Sequence, residues 1–97
     1  MKWLMKYFKK SRHTYWVYEI DSFMGTEVSL IKSFSSKSKA DKCQELLNDR
    51  TKFLGPHVRY SVLELKKGNP YHGAKSMLKE IYGVNHVRKI SYDWLRD

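Results

Sequence analysis

Ninety-seven residues make one small domain, too short to build two cores. Apolar residues at 41% and aromatics at 14% exclude a disordered chain, and no apolar run approaches the roughly 18 residues of a membrane span. Nineteen basic residues against 10 acidic ones leave a net charge of +9 and a pI near 9.7, which points to an anionic partner: nucleic acid first, then a membrane surface, then an acidic protein.

Residues 1–12 carry Lys2, Lys6, Lys9, Lys10 and Arg12 with no acid, interleaved with Trp3, Leu4, Tyr7 and Phe8. The spacing suits a short helix with one aromatic and one lysine face, while Trp3, Met5 and Tyr7 alternate as a strand would, and both readings stay open. The segment serves as an aromatic cap on the core, as a basic arm, or as both. It is too short and too often broken by lysine for a secretory leader, so an intracellular, soluble, cytoplasmic protein is expected.

His13 to Asp21 alternates Trp16, Tyr18 and Ile20 against Tyr15, Val17 and Glu19 and reads as a strand. The turn DSFMGT joins it to a second strand over Glu27 to Phe34, forming a hairpin. Ser38 and Asp41 have the capping-box spacing, and Ala40, Cys43, Leu46, Leu47, Arg50 and Leu54 recur at helical steps before Gly55 and Pro56 stop the helix. Val58 to Leu65 is a third strand, apolar on both faces and therefore expected at the centre of the sheet.

After the breaker KKGNPYHG, Gly73 to Tyr82 reads as a helix, and Val84, Val87, Ile90, Trp94 and Leu95 predict a second short one with Asn85 as its cap. The expected fold is α+β in one domain over residues 1–97. A small antiparallel sheet in a ββαβ core (13–66) packs on the amphipathic helix, between the basic N-terminal element (1–12) and a C-terminal helical segment (73–97).

His13, His57, His72 and His86 stand in different elements, with no partner at zinc-site spacing. The lone Cys43 falls on the apolar face of the helix, as a small hydrophobe would. No nucleophile elbow and no phosphate-cradling glycine loop is present. No metal, cofactor or enzymatic role is expected; the residual arrangement is a small nuclease assembled from Glu19, Asp21, Glu27 and a histidine.

Basic residues offer a more coherent pattern. Lys9, Lys10 and Arg12 lead into the first strand, Lys32 lies near the end of the second, and Lys37, Lys39 and Lys42 open the helix, where the macrodipole is already positive. Free N–H groups at a helix start, reinforced by lysines, suit external phosphate, and lysine suits phosphate contact more than base-specific reading. Tyr15, Trp16 and Tyr18 are candidates for stacking unpaired bases, with Tyr15 and Trp16 foremost, although one face of their strand must be core. The chain is expected to bind nucleic acid, RNA or single strands before a defined DNA sequence.

Tyr82-Gly83-Val84-Asn85 resembles the turn of a helix-turn-helix, which would make the C-terminal helices a DNA reader. That family places apolar residues about six and nine positions after the turn glycine, where this chain has Lys89 and Tyr92. The double-stranded-RNA, RNP-type and KH modules are not matched. In size, charge and lysine and tyrosine bias the chain resembles the small accessory proteins of large bacteriophages. That resemblance implies a host-cytoplasm location and a second function: an inhibitor or adaptor on an acidic host protein or ribonucleoprotein, such as antitoxin-like neutralisation of a ribonuclease. Exposed sheet edges add a homodimer through strand pairing.

Overall fold

The computed structural model describes residues 13–66 and 70–92. The basic segment 1–12, with Lys9, Lys10 and Arg12, lies outside the described residues, as does the expected end of the C-terminal helix. The elements run β1 (Thr14–Asp21), β2 (Glu27–Phe34), α1 (Lys37–Thr51), β3 (Val58–Leu65), α2 (Pro70–Tyr82) and β4 (Val87–Lys89), with a 3-10 turn over Lys52–Leu54. The fold is α+β, with a mixed four-stranded sheet in the order β3-β1-β2-β4 and two helices.

β1 pairs antiparallel with both β2 and β3, while β4 lies parallel to β2. β1 and β2 are therefore the inner strands, and β3 is an edge strand, contrary to the sequence expectation. β3 is apolar on both faces because a helix covers each face of the sheet. Trp16, Tyr18, Ile20, Leu63 and Leu65 share one cluster with Ala74 and Leu78 of α2. Val17, Ile31 and Tyr60 share the other with Ala40, Cys43 and Leu47 of α1. The β1–β2 register shifts between Val17 and Tyr18, pairing Val17 with Lys32 and Tyr18 with Leu30. Ile31 is the extra residue of this bulge, so it joins Lys32 on the α1 side while Val28 and Leu30 face α2.

The segment after α2 departs from expectation. Gly83 takes φ 66° and ends the helix, and the chain then forms β4 instead of a second helix. The helical steps of Val84, Val87 and Ile90 reflect other contacts: Val84 and Val87 pack on the α2 side, while Ile90 donates its N–H to the Leu30 carbonyl and faces the α1 side. Residues 84–92 thus supply no recognition helix.

Connectivity fixes where the helix ends point. β2, β3 and β4 run in one direction, and each helix links two of them, so both helices run the opposite way. The crossovers move in opposite directions across the sheet, and crossovers of one hand must then lie on opposite faces, as the two clusters place them. Both helix N-termini consequently sit at the sheet end where β1 begins.

Candidate nucleic-acid interface

The lysine-rich helix start belongs to α1. Its N-cap is Ser36, whose hydroxyl accepts from the Lys39 N–H at 3.4 Å, so the expected cap at Ser38 moves two residues upstream. Asp41 then falls beyond the first turn and takes the Lys37 ammonium at 3.0 Å. No acid remains in the first turn of α1, and none stands in that of α2. The hydrogen bond and charge of Asp41 hold the Lys37 pKa above its ordinary value.

The buried residues of α1 are Ala40, Cys43, Leu47 and Thr51; Leu46 and Leu54, expected on that stripe, are exposed. Burial pushes the Cys43 thiol pKa up, with the Lys32 charge opposing. The helix itself stops at Thr51, whose hydroxyl donates to the Leu47 carbonyl at 2.7 Å. Gly55, at φ 93°, ends the 3-10 turn that follows.

Helical phase divides the lysines between two flanks. Lys37, Asp41, Gln44 and Asn48 form one stripe, and Gln44 donates to the Tyr60 carbonyl at 2.9 Å while Asn48 accepts from the Tyr60 N–H at 3.2 Å. This flank overlooks the free edge of β3 and occupies its backbone groups at Tyr60, where a strand-paired homodimer would need them. Lys39, Lys42 and Leu46 form the other flank, turned toward β2, where Lys32 lies on the α1 side with its ammonium 5.7 Å from the Phe34 ring centre. Lys39 and Lys42 are exposed, and Lys32 is half-buried. Lys32, Lys39 and Lys42 thus share the β2 side of α1, while Lys37 lies on the other flank with its acid.

The stacking candidates do not survive as a pair. Trp16 is 6% exposed, lies under α2, and its Nε1 has no partner among the described residues. Tyr15 is half-buried against the α1-side core, and Tyr18 is buried with its hydroxyl 2.8 Å from that of Tyr82. Burial, then the Tyr18 bond, pushes the Tyr82 phenol pKa up to about 12. A central strand spends its aromatics on both cores.

Exposed aromatics occur instead at the opposite sheet end, on turns the sequence reading passed over. Phe23 is 70% exposed, Met24 88% and Phe53 80%. An open cleft of about 480 Å³ lies nearby, lined by Thr26, Glu27, Tyr82, Asn85, His86 and Arg88 among others. Glu27 meets Arg88 at 3.4 Å, Asp21 caps the Phe23 N–H at 3.0 Å, and Glu19 accepts from Tyr60 and Tyr92. Each carboxylate of the nuclease arrangement is thus engaged separately. No group of three or more metal-ligating side chains occurs among the described residues, and no described helix is long and apolar enough to cross a membrane. No family model, curated protein or solved structure matches the chain.

Proposed function

We propose that this protein binds nucleic acid, RNA or single strands before a defined duplex sequence, through phosphate contacts at the α1 N-terminus and along its β2-side flank. The observation that carries this reading is convergence: two helix N-termini with acid-free first turns point to one sheet end, and Lys32, Lys39 and Lys42 line the adjoining flank. Positive charges on one flank repel one another, and an anion lying across them offsets that repulsion. Lysines contact phosphate without reading base edges, so sequence preference should be weak.

Salt dependence tests it. If roughly six phosphates are contacted, affinity for a short single-stranded RNA falls by about 300-fold between about 50 and 200 mM salt. Lys39→Glu with Lys42→Glu abolishes binding, whereas Lys37→Glu weakens it less, because Asp41 already occupies that ammonium. A flat salt profile removes the reading. A pull-down from cell lysate with and without nuclease separates it from direct contact with an acidic protein, which survives digestion.

A further inference from the structure

We propose that a single strand lies along the β2-side flank of α1 and stacks unpaired bases on Phe53 and Phe23, an assignment that rests on the nucleic-acid reading above. Lys39, Lys42, Leu46 and Asp49 follow one another at alternating steps of three and four, so one exposed stripe runs along α1 from its lysine start toward the 3-10 turn that carries Phe53. Its acid, Asp49, is met by Lys52 at 3.4 Å, and both are exposed. Glu45 stands beside the stripe and Arg50 precedes Phe53, so with the Asp49–Lys52 pair this half of the stripe carries no net charge and the phosphate contacts fall to Lys39 and Lys42.

Hydrogen bonds hold the backbone of the turn that carries Phe23, and its side chain is exposed. The Ser22 N–H donates to the His57 carbonyl at 2.9 Å, the Ser22 hydroxyl donates to the same oxygen at 3.3 Å, and Asp21 accepts the Phe23 N–H. One side of the Phe23 ring rests on His57 with centroids 4.9 Å apart. These bonds tie the β1–β2 turn to the α1–β3 turn, so Phe23 and Phe53 occupy joined turns at one sheet end. The backbone that carries Phe23 is thus held before any base arrives, so binding has less of the turn to order. Every nucleobase offers a π-face, and phosphates on Lys39 and Lys42 would deliver bases toward this end.

Lys39 to Thr51 spans about 18 Å at the helical rise, and the 3-10 turn carries Phe53 a little farther. That reach fits a footprint of roughly four to eight nucleotides, at the small end of single-strand sites.

Oligouridylates of about two to twelve nucleotides are titrated against the full chain. Affinity is expected to rise steeply up to roughly four to eight nucleotides and then level off. Phe53→Ala and Phe23→Ala each weaken binding by about 5- to 100-fold, the worth of one stacked base, and leave the salt slope unchanged. Phe53→Trp keeps the affinity, and its added fluorescence is quenched by the oligonucleotide. Both positions are exposed, so the variants should retain the wild-type circular dichroism spectrum. Unchanged affinity in both alanine variants, with binding still lost in Lys39→Glu/Lys42→Glu, overturns the stacking assignment alone and leaves the turns to a protein partner. A wild-type chain that binds no oligouridylate overturns the nucleic-acid reading and this assignment with it.

Discussion

The Tyr92 hydroxyl donates to the Glu19 carboxylate at 2.7 Å, on the same oxygen that accepts from Tyr60 at 2.8 Å. Tyr92 follows β4 at one edge of the sheet, whereas Glu19 belongs to the inner strand β1 and Tyr60 to the opposite edge strand. The chain after β4 therefore crosses the α1-side face, and this three-residue junction fastens it there. Burial, before the bonds to its neighbours, pushes the Tyr92 phenol pKa well above its ordinary value, and burial also raises that of Tyr60.

Tyr92→Phe keeps the ring and removes the bond, so it should cost about 1–2 kcal/mol in denaturant unfolding at neutral pH. The pH dependence has a definite sign. A phenol with a raised folded pKa holds its proton more tightly in the native state, so its contribution is complete below the unfolded value of 10.0 and is lost as pH rises toward the folded value. Wild-type stability should fall above about pH 10, and more gently in Tyr92→Phe. Equal alkaline slopes would show that this phenol stays ionisable in the native state.

The start of α1 yields a sharper test, because two nearby serines have different assignments. Ser36 is the N-cap, and its 3.4 Å bond to the Lys39 N–H is long. Ser36→Ala should cost about 0.5–1 kcal/mol, toward the low end for a cap. Ser38, inside the first turn and exposed, should tolerate alanine without loss, since alanine is the better helix former. Thermal midpoints of the two variants decide it: a larger drop for Ser38→Ala would restore the capping box with Asp41.

Much of this architecture was legible from residue pattern. Glu27 to Phe34 and Val58 to Leu65 are strands with the expected bounds, and the helix between them forms but ends at Thr51, three residues short of Leu54, with Leu46 off its buried stripe. β4 was illegible for a physical reason. Three residues, Val87–Lys89, carry too little alternation to outweigh chance helical spacing, and their partner β2 is distant in the chain. The position of β3 was misread because apolar residues on both faces report cover by two helices, which an edge strand can also receive. Periodicity located the lysines of α1 on the helix, yet it could not say which flank overlooks β3. That division depends on Gln44 and Asn48 reaching Tyr60, a contact between elements. Phe23 and Phe53 were passed over because an aromatic in a short turn has no period to reveal its exposure.

Two helices on opposite faces of one sheet imply two cores that respond independently to mutation. Leu47 on the inner face of α1 and Leu78 on that of α2 are both fully buried, and each change to alanine should cost about 2–5 kcal/mol. Leu46, at 40% exposure, buries much less of its side chain, and its change to alanine should cost less than about 1 kcal/mol. Ile20 and Ile31 allow a gentler comparison, since Ile20 belongs to the α2-side cluster and Ile31 to the α1-side cluster. Ile20→Val and Ile31→Val should each cost about 0.5–1.5 kcal/mol, which leaves the double variant folded. Because the sheet stands between the two side chains, the double variant should equal the sum of the singles within about 0.5 kcal/mol. A coupling clearly larger than that, measured by denaturant unfolding, would mean that the β2 bulge transmits repacking from one face to the other. The placement of Ile31 beside Lys32 would then bear on both cores at once.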